Sequence, residues 1–172
     1  MASLMENLIS VLDEECVEYE NLLKLTLAKT PVIVSENLDE LARITDEEQL
    51  QLTRISALDK KRDDTVKDIA NVLNKDVETL KLKKLIKLMA GRPAEQKALA
   101  ASYDRLMALA KHVESINARN SELIQSALEM VQFNMNMLQS AKSAPESANY
   151  NKGAYATGSS LGIDKKSFDA RQ

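Results

Sequence analysis

The sequence predicts an all-α protein: an elongated antiparallel helical bundle or coiled-coil hairpin of long helices, with a short cover helix and a flexible C-terminal tail. Glycine and proline, which cost a helix interior about 1 and 3 kcal/mol relative to alanine, number only four and three in 172 residues. Three of the glycines, Gly153, Gly158 and Gly162, lie close to the C-terminus. Elsewhere apolar residues recur in steps of three and four, the period of an α-helix. We therefore expect a helical bundle domain at 1–142 and the tail at 143–172.

The first helix is predicted from about Ser3 to Lys29. Ser3, with Glu6 three residues later, forms an N-terminal capping pattern. Pro31 leaves two possibilities open: a new helix starts there with Thr30 as its cap, or one long helix kinks. The apolar residues at helical spacing are Leu4, Leu8, Val11, Leu12, Tyr19, Leu22 and Leu23.

The second helix is predicted over residues 34–73, with a heptad-like apolar face. Glu48, Asp59 and Arg62 interrupt this face, and we expect them at the edge of the bundle, where a charge reaches water. The positions of the face are Val34, Leu38, Leu41, Thr45, Glu48, Leu52, Ile55, Asp59, Arg62, Val66, Ile69 and Leu73.

A turn is predicted at residues 74–76, followed by a short helix capped by Asp76 or Thr79. Gly91 is predicted as a left-handed stop one or two residues after that helix, and Pro93 as the first turn of the next. The short helix is basic and amphipathic, which suits a membrane surface or an acidic partner. We favour a helix that covers one end of the bundle, with its lysines facing the acidic N-terminal segment.

The last helix is predicted from Pro93 to Ala141, a span of roughly 70 Å. A helix of that length needs a partner, and we expect the second helix, packed antiparallel. Asn120 and Asn134 fall on its apolar seam and favour one register. The seam is Leu99, Ser102, Leu106, Leu109, Val113, Ile116, Asn120, Leu123, Ala127, Met130, Asn134 and Met137.

Composition and charge restrict the function. Aromatic residues make up 3% of the chain and tryptophan is absent, so aliphatic residues and methionine must fill the core. The formal net charge of −3 gives no indication of a nucleic-acid partner. Residues 1–59 carry thirteen acidic and four basic side chains, whereas residues 60–92 carry ten basic and five acidic ones. We expect these regions to complement each other between antiparallel helices.

Compartment and chemistry follow from what the sequence lacks. No apolar stretch is long enough for a membrane span, the N-terminus is not of the signal-peptide type, and the one cysteine excludes an internal disulfide. We therefore expect a cytoplasmic protein without stable membrane insertion. The single histidine, His112, and Cys16 have no partners at metal-ligand or nucleophile–base spacing. We expect no enzyme activity, no metal and no cofactor.

The most informative apolar stretch is residues 123–138 of the last helix. A helix that is apolar around most of its circumference must be covered on more than one side, and methionines suit surfaces that accept varied apolar partners. A buried bundle helix and a homodimer contact remain open as explanations. The polar tail attached to this stretch favours a client-binding surface, formed by Leu123, Ile124, Leu128, Met130, Val131, Met135, Met137 and Leu138.

Three groups of residues follow a known family pattern. The first group is Tyr19-Glu20-Asn21-Leu22-Leu23, Lys29, Leu38-Asp39-Glu40-Leu41, Ile44-Thr45, Glu48, Leu52 and Arg62. The second is Asn117, Asn120, Leu123, Ile124 and Leu128, and the third is Tyr150-Asn151-Lys152-Gly153 with Gly162 and Asp164. In order and spacing they resemble the FlgN-type flagellar export chaperones. The departures are Pro31, inside a helix that is usually continuous, and a shortened motif after Tyr150.

The resemblance implies a cytoplasmic chaperone that binds the terminal amphipathic helix of flagellar hook-associated (hook–filament junction) proteins. It would prevent their premature assembly and deliver them to the type III export gate and its ATPase complex. The client helix would pack on residues 123–138. The tail residues Tyr150, Tyr155, Leu161 and Ile163 would contact the client or the gate.

An alternative function is a structural or adaptor coiled-coil protein that acts through homodimerisation. The heptad-like steps, with Asn120 and Asn134 on the seam, favour it. A membrane-surface role for the lysines of residues 81–87 is a third possibility.

Overall fold

The computed structural model of the chain describes residues 2–77 and 80–143. In that part the chain is all-α, which confirms the predicted fold class. The helices are α1 (Ala2–Val34), α2 (Leu38–Val72), α3 (Leu82–Leu88) and α4 (Pro93–Ser143), with a 3₁₀ turn at Met89–Gly91 between α3 and α4. The described residues belong to two compact units, Met1–Val131 and Gln132–Gln172. The predicted tail, apart from its first residue, lies outside the described residues.

α1 continues through Pro31 and ends at Val34, five residues beyond the predicted end. The alternative in which a new helix starts at Pro31 is therefore wrong. Proline removes one main-chain donor, and the last turn is closed by other bonds, such as the one from Ser35 N–H to the Pro31 carbonyl at 3.0 Å. Glu36 then adopts a left-handed conformation with φ of 55°, which ends the helix.

α2 begins at Leu38, and its N-cap is Asn37. The Glu40 N–H donates to the Asn37 side-chain oxygen at 3.1 Å, a bond that satisfies one of the free N–H groups of the first turn. The predicted turn after α2 is present, with Asn74 left-handed at φ of 53°.

The junction between α3 and α4 follows the prediction only in part. Pro93 is the first residue of α4, as predicted. Gly91 lies in the 3₁₀ turn and does not have a positive φ, so the predicted left-handed stop is wrong. The N-cap of α3 is Lys81, so the predicted cap at Asp76 is wrong, and Thr79 lies outside the described residues.

α1 and α2 pack against each other and run antiparallel. Glu15 of α1 meets Arg62 of α2, while Lys29 farther along α1 meets Glu48. The Glu15–Arg62 pair joins the acidic region 1–59 to the basic region 60–92, as predicted, whereas Lys29 and Glu48 both lie within residues 1–59. Glu48 is buried between helices, so the prediction that it reaches water is wrong.

We expected α2 to pack antiparallel against α4, and α4 also makes specific polar contacts to α1. Ser102 Oγ donates to Asp13 at 2.7 Å, and Arg105 donates to Glu20 at 2.6 Å. Since both helices advance in the same direction through these contacts, α4 runs parallel to α1. α4 shares core clusters with α2 as well: Val66 and Ile69 lie with Leu99 and Leu106, and Ile55 lies with Val113, the order expected of an antiparallel pair. The periodicity of the seam did not predict that α1 also contacts α4.

The core is aliphatic and lies in two clusters. The smaller one joins Leu22, Ile55 and Val113, one residue from each long helix. The larger one contains Met5, Leu8, Leu12, Cys16, Val66, Ile69, Ala70, Leu80, Leu85, Met89, Leu99 and Leu106. The predicted face of α2 is only partly right, because Leu38 and Leu52 are exposed and Ile44 and Gln51 are buried in their place.

Candidate functional site

Burial along α4 stops at Asn120. Up to that position the predicted seam is buried at Leu99, Ser102, Leu106, Val113 and Asn120. From 121 to 142 no side chain that the structure describes is buried. Met130, Asn134 and Met137, predicted as seam residues, are exposed. The apolar residues of this end of α4 are therefore not covered by the described part of the chain.

A polar layer marks the change from buried seam to exposed apolar surface. Asn120 Nδ2 donates to the Thr26 carbonyl at 3.0 Å, and Thr30 Oγ1 donates to Asn120 Oδ1 at 2.7 Å. Thr26 Oγ1 in turn donates to Glu48 Oε1 at 3.2 Å, and Lys29 donates to Glu48 Oε2 at 2.6 Å. The layer thus connects all three long helices, and it satisfies polar groups that would otherwise be costly to bury. It supports the prediction that Asn120 favours one register.

Directly after this layer lies an apolar groove of about 320 Å³. One wall comes from the end of α1 and the start of α2, and the other comes from α4. The groove residues are Val32, Ile33, Glu36, Leu38 and Leu41 on the first wall and Ile124, Ala127, Leu128 and Val131 on the second. Leu38 is 75% exposed and Leu128 is 60% exposed, so the groove presents large apolar side chains to solvent.

Three of the eight predicted client-binding residues line this groove: Ile124, Leu128 and Val131. Leu123 is half-buried and Met130 is exposed, and neither belongs to the groove. The wall from α1 and α2 was missed, because Leu38 and Leu41 had been assigned to the seam of the second helix and Val32 and Ile33 to no face. The exposed corner between α1 and α2, where Glu36 turns the chain, places them beside α4.

The second unit contributes residues 132–143 to the described structure. These residues are helical, and their apolar side chains are exposed. They include the predicted residues Met135, Met137 and Leu138, together with Phe133. The predicted tail residues Tyr150, Tyr155, Leu161 and Ile163 lie outside the described residues.

A second polar contact joins α1 and α2 away from the groove. The Glu15 side chain is 0% exposed, and Arg62 Nη1 donates to its Oε2 at 2.8 Å. Within the described residues its Oε1 has no hydrogen-bond partner. Burial raises the pKa of the Glu15 carboxyl, and the attraction of Arg62 offsets this only in part. Arg62 also contacts Asp59 and Asp63, so it remains paired on its exposed side.

Cys16, one of the two residues considered for catalysis or metal binding, is placed as a structural residue. Cys16 is buried in the core, and its Sγ donates to the Ser102 carbonyl at 3.7 Å. Burial raises the pKa of the Cys16 thiol, which disfavours the reactive thiolate. His112 is exposed on α4. The described residues contain no group of three or more side chains placed to hold a metal ion. None of their helices is long and apolar enough to cross a membrane.

α3 packs as the predicted cover helix. Leu85 is 0% exposed, and it belongs to the larger core cluster together with Leu80 and Met89. The lysines of the segment are exposed. No ion pair between these lysines and α1 is present among residues 2–77 and 80–143, so the predicted contact with the acidic N-terminal segment is not found there.

The family model for FlgN protein matches residues 1–157, which is most of the chain. The match includes α1 to α4 and the groove. No curated protein and no solved structure matches the chain significantly.

Proposed function

The chain belongs to the FlgN family, and on that premise we propose that it is a cytoplasmic chaperone of the flagellar type III export system. Its clients are the hook-associated proteins of the hook–filament junction. It binds their terminal amphipathic helix, prevents premature assembly and delivers them to the export gate with its ATPase complex. It acts by binding alone, without enzyme activity, metal or cofactor.

The single observation that carries this proposal is the uncovered apolar groove after Asn120. An amphipathic helix presents apolar residues at spacings of three and four, which fit a groove between two helical walls. Full burial of a leucine or valine side chain contributes about 1.5–3 kcal/mol. Exposed residues such as Leu38, Leu128 and Val131 therefore give a client helix enough apolar contact for stable binding.

Position in the chain also supports the proposal. Met135, Met137 and Leu138, in the second unit, are exposed apolar side chains as well. We propose that they also contact the client, whereas Tyr150, Tyr155, Leu161 and Ile163 of the tail contact the client or the gate. Flexible methionines adapt to clients of different sequence.

The experiment compares a groove variant with a matched surface variant. Leu128→Asp combined with Val131→Asp places two charges in the groove, and Leu50→Asp places one on α2 at a side chain that is 65% exposed outside the groove. We expect the groove variant to bind a synthetic terminal helix of a junction protein about a hundredfold more weakly, since each lost apolar contact is worth about tenfold or more. Leu50→Asp should bind normally.

Circular dichroism of both variants controls for loss of helix. Unchanged client binding by a helical groove variant contradicts the proposal. Truncation after Ala141, and Met130→Asp with Leu138→Asp, test the remainder of the predicted surface in the same assay.

The alternative is a coiled-coil adaptor that dimerises through the same exposed end of α4. The exposed stripe after Asn120 is the observation that favours it, since a second copy would cover it equally well. Asn120 itself already bonds within the chain, so the seam before it is not free for dimerisation. Sedimentation equilibrium separates the two: a tight dimer that Leu128→Asp with Val131→Asp dissociates, without any effect on client binding, supports the alternative.

A further inference from the structure

The basic face of α3 is a second feature that the groove does not explain. Lys81, Lys83, Lys84 and Lys87 are all exposed. Among residues 2–77 and 80–143 none of these four lysines forms an ion pair. Other basic residues of the same body do, as Lys67 pairs with Asp64 at 3.0 Å. The charge of this face is thus not balanced by the described part of the chain.

A cleft of about 660 Å³ lies against this face. Its apolar lining comes from Val66 of α2, from Val77 and Leu80 between α2 and α3, and from Leu82. Its cationic lining includes Lys81 and Lys83. Arg62 and Lys67 also line it, but they are already paired with acidic residues of α1 and α2, one of which, Asp63, lines the cleft too. The unbalanced charge in the cleft therefore comes from the two lysines of the α3 segment.

We propose that this cleft binds an acidic segment of a partner protein, whose carboxylates pair with Lys81 and Lys83 while an apolar side chain enters beside Val66 and Val77. Charge complementarity and the mixed lining favour this chemistry. Ion pairs of this kind, at the solvent-exposed edge of an interface, speed association and select the partner. Salt weakens them, because they are close to water.

The observations favour a protein segment over a lipid surface. A membrane-surface helix buries its apolar face among the lipids. Leu85 of α3 is buried in the core, Leu82 and Ile86 pack against it, and Leu88 is 51% exposed. One exposed leucine beside the lysines offers a membrane little apolar surface, so deeper insertion of this helix would require the end of the bundle to open.

The cleft and the apolar groove are separate sites on one body. Leu41 lines the groove and Lys67 lines the cleft, both on α2. Twenty-six residues of helix between them correspond to roughly 40 Å. A partner in the cleft therefore does not compete directly with a helix in the groove, and this inference does not depend on the proposed client.

The test uses fluorescence anisotropy of a short labelled peptide in which glutamates flank a leucine. We expect it to bind the intact protein, and Lys81→Glu with Lys83→Glu to weaken binding at least about tenfold, equivalent to about 1.4 kcal/mol. Lys97→Glu with Lys111→Glu is the matched control, because both lysines are exposed on α4 outside the cleft. The control variant should bind the peptide with an affinity within about twofold of that of the intact protein. Added salt should weaken binding of the peptide to the intact protein. Lys81→Gln with Lys83→Gln removes the charges without reversing them and should also weaken binding.

Several results would overturn the inference. The first is equal binding by the cleft and control variants, or no binding of the peptide at all. The second is equal binding of a peptide in which glutamine replaces every glutamate. The third is binding to anionic phospholipid vesicles that the cleft variant abolishes, which would assign the lysines to a membrane. The fourth is self-association that the cleft variant abolishes, which would assign the cleft to a second copy of the chain.

Discussion

Asn120 of α4 donates a hydrogen bond to the main-chain carbonyl of Thr26 in α1, at 3.0 Å. The next carbonyl, that of Leu27, lacks its usual helical donor because Pro31 has no N–H. This hydrogen bond therefore joins α4 to α1 at the turn that proline perturbs. It lies directly before the groove, so the position of the groove wall on α4 depends on it.

Asn120→Ala should lower the free energy of unfolding by about 2 kcal/mol, because two buried hydrogen bonds of about 1 kcal/mol each are lost. Urea unfolding followed by circular dichroism measures the change, and the slope with urea should stay constant. Asn134→Ala is the matched control, since Asn134 is exposed, and it should change stability by less than about 0.5 kcal/mol. Equal effects of the two substitutions would show that the polar layer does not stabilise the fold.

Lys29 and Glu48 should be energetically coupled. Their side chains are 16% and 11% exposed and lie 2.6 Å apart, so removal of one partner leaves a largely buried charge unpaired. We expect Glu48→Gln to lower the free energy of unfolding. Lys29→Met should lower it less in the Glu48→Gln variant than in the native protein. The double-mutant cycle should therefore give a coupling energy between Lys29 and Glu48 of about 1 kcal/mol or more. The exposed pair Arg43 and Glu47 serves as the comparison, with a smaller coupling. Strict additivity at Lys29 and Glu48 would contradict the account.

Glu15 should give the stability a characteristic pH dependence. Because burial raises its pKa in the folded protein above the ordinary value of 4.5, the folded state binds the proton more tightly than the unfolded chain. Its contribution to stability is fully present below pH 4.5 and is lost as the pH rises through the folded-state pKa.

Glu15→Gln removes this titration and keeps the shape of the side chain. The unfolding free energy of the native protein minus that of Glu15→Gln should therefore fall as the pH rises above 4.5. Urea unfolding over a pH series measures the difference. Glu14→Gln, at an exposed neighbouring position, controls for the loss of one acidic group. A difference that stays constant, or that rises with pH, is the result against this prediction.

Cys16 should be protected from thiol reagents in the folded protein. It is buried, burial raises its thiol pKa, and attack requires an exposed thiolate. Labelling with Ellman's reagent should proceed only through opening of the core, and denaturant should accelerate it. A variant with Ser126→Cys adds an exposed thiol on α4 that should react at once. Rapid labelling of Cys16 in native buffer would be inconsistent with the packing described.

The sequence was sufficient for the features that periodicity and turn residues determine. The all-α class, the start of α4 at Pro93 and the place of Asn120 on the buried seam of α4 belong to this group. So does the exposed apolar stretch of α4, because its residues occupy more of the helix circumference than a single seam requires. These features depend on local spacing, which a single sequence contains.

Contacts between segments that are far apart in the sequence could not be predicted as well. Glu48 on an apolar face suggested a surface charge, and only the packing of α1 on α2 shows that Lys29 and Thr26 satisfy it. The groove wall at Val32 and Leu38 depends on where α1 ends. The sequence placed that end at Lys29, five residues too early, because Pro31 removes one hydrogen bond without ending the helix.

Site-specific photocrosslinking shows whether the groove contacts the client helix. A photoreactive residue at Leu128 in the groove, and in a second variant at Leu50 on the exposed face of α2, is illuminated with a full-length hook-associated protein. We expect a crosslink from position 128 to the terminal helix of the client and none from position 50. Crosslinks from both positions in equal yield, or from 128 only to a second copy of the chain, would contradict this expectation.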